Sequence, residues 1–201
     1  MKKSMLLLVC LIVIGYVTNA QTSGSFMDPR DGKSYKWVEI GNQTWMAENL
    51  AYKPKSGNCF FFENEDSTIL RYGYHYKWET AKKVCPAGWH LPESEEFKEL
   101  AFFVGSDPGI KLKAKTGWLM NGDGTDEYNF SALPGGNCSP QGKFSQIGYQ
   151  GFWWSATKAK PTADGIPSAM LFYISCGLDT VDATFSQNIN VGVSVRCIKD
   201  K

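Results

Sequence analysis

Histidine is nearly missing: the 201-residue chain has two, His75 and His90. There is also no Cys-x-x-Cys and no pair of histidines at helical spacing. A zinc site needs three or four protein ligands, and no obvious set supplies them. Basic excess is absent too. Lys+Arg 21 against Asp+Glu 20 gives a formal charge of +1. Phosphate binding needs a concentrated positive field, so this balance argues against a nucleic-acid partner. After residue 20 no segment is long and apolar enough to span a bilayer. No internal repeat, linker or low-complexity tract interrupts the chain.

What the chain has is aromatic surface and glycine: 7 Trp, 9 Tyr, 12 Phe and 20 Gly. It also has a distinct start. Lys2 and Lys3 precede a nearly continuous apolar run from Met5 to Val17, and Thr18-Asn19-Ala20 offers small residues beyond it. This is the pattern of a secretory signal peptide spanning residues 1–20, cut after Ala20. An uncleaved anchor is the alternative. A lipoprotein cut before Cys10 is disfavoured by Val9 and by the short apolar run ahead of it. Once the signal is removed, Cys59, Cys85, Cys138, Cys176 and Cys197 remain, in an oxidising compartment. Five is odd, so at most two bridges form within the chain.

Residues 21–27 read as a flexible leader and 28–201 as a single domain. Ser34–Ile40 and Gln43–Met46 are strand-like, joined by a two-residue turn with Gly41 first. Lys53–Ser67 is polar and reads as a surface loop. Trp78, Ala81 and Cys85 recur at helical spacing, and Pro86 stops that helix. A second helix begins near Glu93, with Glu93, Glu95 and Glu96 favoured by the dipole at its N-terminus. Phe97, Leu100, Ala101 and Val104 form its apolar face, and Gly105 ends it. Later come strands: Phe152–Ala156, Ser168–Cys176 and Val191–Ile198. In the last, Val191, Val193, Val195 and Cys197 share one face by alternation. Helices followed by many short strands give an α+β pattern.

Cys85 and His90 lie close in sequence, which raises a thiol or metal reading. Cys85 sits at a helix C-terminus, where the dipole disfavours a thiolate. His90 lies beyond a Pro-Gly turn with nothing to place it against the sulfur. The structural reading explains more. Cys85 and Cys197 both fall on core faces, and in a secreted domain they are natural disulfide partners. Such a bridge would contribute roughly 3–5 kcal/mol in the chain-entropy model.

"WETAKKVCPAGWHLPESEEFKEL" (78–100) is similar to the helical part of C-type lectin-like domains. That resemblance implies two short helices packed on small twisted antiparallel sheets with long loops, and it agrees with a Cys85–Cys197 bridge. The closer resemblance is to the Fibrobacter succinogenes major paralogous domain, a bacterial surface and secreted family. It rests on "DPRDGKSYKWVEIGNQTWMAENLAY", "YGYHYKWETAKKVCPAGWHLP", "GTDEYNFSALPGG", "WWSAT" and "VSVRCIKD", in that order. Members often carry a second cysteine shortly before "YG", where this chain reads "STILRYG". The resemblance therefore implies that Cys59 has lost its partner and is the leftover thiol, with Cys138 and Cys176 paired. Asn129 stands where glycine is usual in the family.

Two features offer binding chemistry. In "NGDGTDEYNF", Asn121, Asp123, Asp126 and Glu127 present oxygens suited to calcium, although the spacing is not that of an EF-hand. A hydrogen-bonded surface turn is the other reading of this loop. Trp153 and Trp154 point to opposite faces of a strand. One ring joins the core; the other is either open for stacking on a sugar or covered, for instance by the hairpin of Trp37 and Trp45. The expected function is a secreted or surface-displayed, non-catalytic domain binding glycans or other surface macromolecules. No cofactor is called for, with calcium the one candidate. Two alternatives stand beside it. One is an oxidase of the formylglycine-generating type, which needs a reactive cysteine pair; the other is a structural matrix component. The exported protein should begin at Gln21. Intact mass checks this, and a species retaining Lys2 and Lys3 would refute it.

Overall fold

Short strands and short helices alternate along the chain, because turn residues interrupt almost every apolar run. The computed structural model describes residues 21–60 and 65–201; for 65–68 it describes the backbone alone. The expected signal peptide lies outside the described residues. The elements, in order, are β1 (Ser23–Met27), β2 (Ser34–Ile40), β3 (Gln43–Met46), β4 (Cys59–Phe60), α1 (Glu65–Tyr72), β5 (His75–Tyr76), α2 (Trp78–Val84), β6 (Trp89–His90) and α3 (Ser94–Val104). They continue with α4 (Pro108–Leu112), β7 (Asn137–Cys138), β8 (Phe144–Ser145), β9 (Gln150–Ala159), β10 (Ser168–Ser175), β11 (Val181–Asn188), β12 (Val193–Ser194) and β13 (Ile198–Lys199). The fold is mixed α+β.

Strand order is β1-β2-β3-β13-β6 in one sheet and β11-β10-β9-β12-β5-β4 in another, with β7-β8 a separate ribbon. Pairing is antiparallel except between β12 and β9. The predicted hairpin is present: Ile40 pairs with Gln43 across Gly41-Asn42, and Gly41 takes φ 62°. The α3 start also matches. The Glu93 N–H donates to the Glu96 carboxylate at 2.8 Å, which occupies one of the unpaired donors of the first turn. Phe97, Leu100 and Val104 are buried as predicted, while Ala101 is only half-buried.

Three expectations about the elements fail. Residues 21–27 are not a loose leader: β1 pairs with β2 over five residues, Ser23 to Met27. Four helices are described rather than two, and α1 begins inside the segment read as a loop; part of that segment, 61–64, lies outside the described residues. Val191–Ile198 is not one strand. β12 pairs with β5 and β9, β13 pairs with β3 and β6, and the chain changes sheets between them. Val193 to Ile198 are buried on both faces, so simple alternation did not describe the environment.

The core falls into two packed clusters. One gathers Met46, Tyr76, Trp78, Trp154, Leu171 and Cys197; the other gathers Trp45, Phe97, Trp153, Phe172 and Ile198. Phe97 of α3 stacks on Phe172 of β10 at 4.7 Å between ring centroids. Such pairs add to the energy of apolar burial.

Cys85 and Cys197 form the expected disulfide, with Cα atoms 6.0 Å apart and a sequence separation of 112. It ties the end of α2 to the approach to β13. Cys138 and Cys176 do not pair; each carries a separate thiol. Cys138 exchanges backbone hydrogen bonds with Gly192, ahead of β12, while Cys176 follows β10 and bonds through its N–H to Tyr149 O. Cys138 lies in the separate β7-β8 ribbon and Cys176 directly follows a strand of the six-stranded sheet, so the two belong to different sheets. Cys59 lies half-buried on β4, against the first cluster. Replacing Cys85 by Ala should cost about 2–5 kcal/mol in denaturant unfolding, the usual loss for a native bridge. Peptide mapping without reduction should return Cys85 joined to Cys197; Cys138 joined to Cys176 would contradict the structure.

Candidate functional site

The residues singled out in the sequence are used mainly by the fold. Trp153 and Trp154, on β9, are both 0% exposed. They do point to opposite faces, but each face is covered. Trp153 packs with Trp45, supplied by the β2–β3 hairpin, and its indole N–H donates to Asn49 Oδ1 at 2.8 Å. Trp154 packs in the first cluster, and its N–H donates to Tyr76 O at 2.7 Å. Neither ring is open to a ligand, which corrects their assignment as a sugar platform.

The acidic loop behaves as a hydrogen-bonded turn. Asp123 Oδ1 accepts from the Trp118 N–H at 2.9 Å. Asp126 accepts from the Ser131 N–H at 2.7 Å and from its hydroxyl at 2.6 Å. Asn121 and Glu127 are exposed. These carboxylates fix backbone at positive φ, including Asp126 at 49°, Asn129 at 50° and Ser131 at 51°. Asn129 thus holds the left-handed conformation that glycine would adopt, which asparagine tolerates better than most residues. Among the described residues no group of three or more His, Cys, Asp or Glu could hold a metal ion.

The histidines and the buried thiol offer no assembled reactive set. The Cys138 thiol is pushed up to about 11 by burial. His90 sits between Asp200 and Glu96, at 2.7 and 3.2 Å. His75 is buried on β5, with Nε2 at 3.0 Å from Gly135 O and 3.2 Å from Gly136 O. Carbonyls only accept, so Nε2 carries the proton and donates. Nδ1 has no partner.

Sequence reasoning missed a concavity whose lining residues are scattered along the chain. A cleft of about 770 Å³ opens between the β1–β3 strands, the end of α1 and the 129–133 turn. Trp37 of β2 lines it, half-buried. Its ring lies across Gly24, the residue directly opposite on β1; a Cβ there would come within 2.7 Å of the indole. Glycine at that position lets the ring lie flat. Ser23, Ser25, Asn129 and Ser131 also line the cleft, and Leu70 and Arg71 close one side; by strand alternation the Ser23 and Ser25 side chains lie on the sheet face opposite the indole.

Arg196 and Asn49 contribute the floor. Arg196 is 1% exposed. Its Nε and Nη2 donate to Asn49 Oδ1 at 3.2 and 2.8 Å, and Nη2 also reaches Ser131 O at 3.3 Å. Nη1 donates to Phe130 O, and the guanidinium stacks over the Phe130 ring, 4.4 Å from its centroid. Asn49 donates in turn to Tyr72 O at 2.9 Å and Ser194 Oγ at 3.3 Å. Burial pushes Arg196 down to about 9, which leaves it charged at neutral pH. The only sequence signal was an arginine set among apolar residues in "VSVRC"; alternation alone placed it away from the core.

The His75 environment gives a pH test. Burial lowers its pKa to about 4, from the ordinary 6.5. Below 6.5 the unfolded chain takes up a proton that the folded one refuses. Stability is therefore complete above 6.5 and lost as pH falls towards 4, by about 3 kcal/mol across that window. Denaturant unfolding at pH 7.5 and 4.5 should show this loss in the native protein, and a smaller one in His75→Gln. Equal losses in both would disprove it.

Among the described residues no helix is long and apolar enough to cross a membrane. No curated protein and no solved structure gives a match to the chain. A family model does: the Fibrobacter succinogenes major domain matches residues 38–199, from within β2 to the end of β13. That span takes in Trp37's neighbour Val38, Asn49, both core tryptophans of β9, the Cys85–Cys197 bridge and Arg196, and the chain belongs to the Fibrobacter succinogenes major domain family.

Proposed function

We propose that this protein is a non-catalytic binding domain with a C-type lectin-like fold, secreted or displayed at the cell surface. It holds a glycan in the cleft above Arg196 and Asn49. The observation that carries this reading is the cleft of about 770 Å³, which the half-buried Trp37 lines together with Ser23, Ser25, Asn49, Asn129 and Ser131. A flat aromatic face with a few placed polar groups is suited to a sugar ring, which is apolar on its faces and polar at its edge. Export is supported by Lys2, Lys3, the Met5–Val17 run and Ala20, and by a disulfide of the kind that persists in oxidising compartments. The lectin-like assignment is supported by the bridge from the α2 end to the final strand region.

The cysteines favour binding over oxidase chemistry. Cys85 and Cys197 are joined, and Cys138 is buried with a raised thiol pKa. A reactive thiol needs the opposite, a lowered pKa and access.

Calorimetric titration against a broad panel of cell-wall glycans tests the reading. At least one should bind, and Trp37→Ala should weaken it at least tenfold with the fold intact. Trp153→Ala and Trp154→Ala should instead destabilise the domain, by about 3–5 kcal/mol each. No binding by any glycan would favour the structural matrix component.

A further inference from the structure

Resting on the reading of the cleft as a glycan site, we propose that its ligand is an acidic saccharide, carrying carboxylate or sulfate groups. Charge is nearly balanced over the chain, Lys+Arg 21 against Asp+Glu 20, but not in the cleft. Lys33, Lys36, Arg71 and Arg196 line it, against a single carboxylate, Glu48. Among the described residues none of these four cations takes part in an ion pair. Glu48 is engaged in the hairpin, accepting from the Lys36 backbone N–H at 2.9 Å.

The cations divide the work by position. Lys36 and Arg71 are exposed at the rim and are free to touch a ligand. Arg71 is seated rather than loose: a Cβ on Gly117 would lie 2.6 Å from its Nη2, so the guanidinium rests on bare backbone there. A planar guanidinium held in place suits two-point recognition of a carboxylate or sulfate. Arg196 is too buried to touch a ligand and acts through its field. Its hydrogen bonds end on the neutral oxygens of Asn49, Phe130 and Ser131, so no contacting anion cancels its charge. Asp126, which acts on it only through space, accepts two hydrogen bonds from Ser131. A charge set in low-dielectric walls focuses its potential into the opening. A saccharide in the cleft would then turn its acidic substituent towards Arg71 and Lys36.

Three probes separate charge from shape: hexagalacturonate, its fully methyl-esterified form, and a chondroitin sulfate hexasaccharide. At low salt, at least one acidic probe should bind ten times or more tighter than the methyl ester, and weaken as salt rises. The double variant Lys36→Gln with Arg71→Gln should lose at least tenfold in affinity for that probe while keeping the native thermal transition. Equal binding of the acid and its ester, or an unchanged double variant, overturns the acidic ligand and leaves the glycan cleft standing. Failure of both acidic probes overturns it as well. In that case the neutral members of the glycan panel, read with Trp37→Ala, decide whether the cleft binds sugar at all.

Discussion

One buried guanidinium joins parts of this domain that are far apart in sequence. Arg196, from the last strand region, meets Asn49 after β3 and the carbonyls of Phe130 and Ser131. Asn49 then holds Trp153 of β9, Tyr72 at the end of α1, and Ser194 of β12. Desolvating a guanidinium is costly, and the cost is offset only if its donors are met with good geometry. The network therefore requires five segments to arrive together, and so constrains the sheet junction, the 129–133 turn and the cleft floor at once.

The hydrophobic core is arranged around the same junction. β9 carries Trp153 into one cluster and Trp154 into the other, so a single strand divides the core. The chain after Gly192 lies between those clusters as well. It gives Val193, Val195 and Cys197 to the first and Ile198 to the second, while Cys197 fastens it to α2. Covering both faces of these strands consumes the two tryptophans that would otherwise have been the obvious ligand platform.

The cleft is left where β1 and β2 meet the positive-φ turn. Its chemistry is a contrast between a rigid, satisfied floor and a rim with charges to spare. Arg196 spends its hydrogen bonds on the fold yet keeps its charge, because every acceptor is neutral. The fold and the proposed ligand thus draw on different properties of one side chain. Gly24 and Gly117 matter for a related reason: each has no side chain where Trp37 and Arg71 must lie.

Local signals were legible where local physics decided the outcome. Gly41-Asn42 set a hairpin, Pro86 ended a helix, and Glu93 with Glu96 began the next; each depends on backbone conformations available within a few residues. The Cys85–Cys197 bridge could be read because helix and strand periods put both sulfurs on core faces. The family was legible as well, since its motifs are long and ordered. Periodicity reports which side of a strand a residue occupies, and it does not report what lies beyond that side. Only the tertiary structure decided that residues 21–27 would form a strand, that Cys138 and Cys176 would stay apart, and that both β9 tryptophans would be covered. The cleft belongs to the same class. Trp37, Arg71 and Arg196 are scattered along the chain, and they converge because the strand region after Gly192 crosses from one sheet to the other.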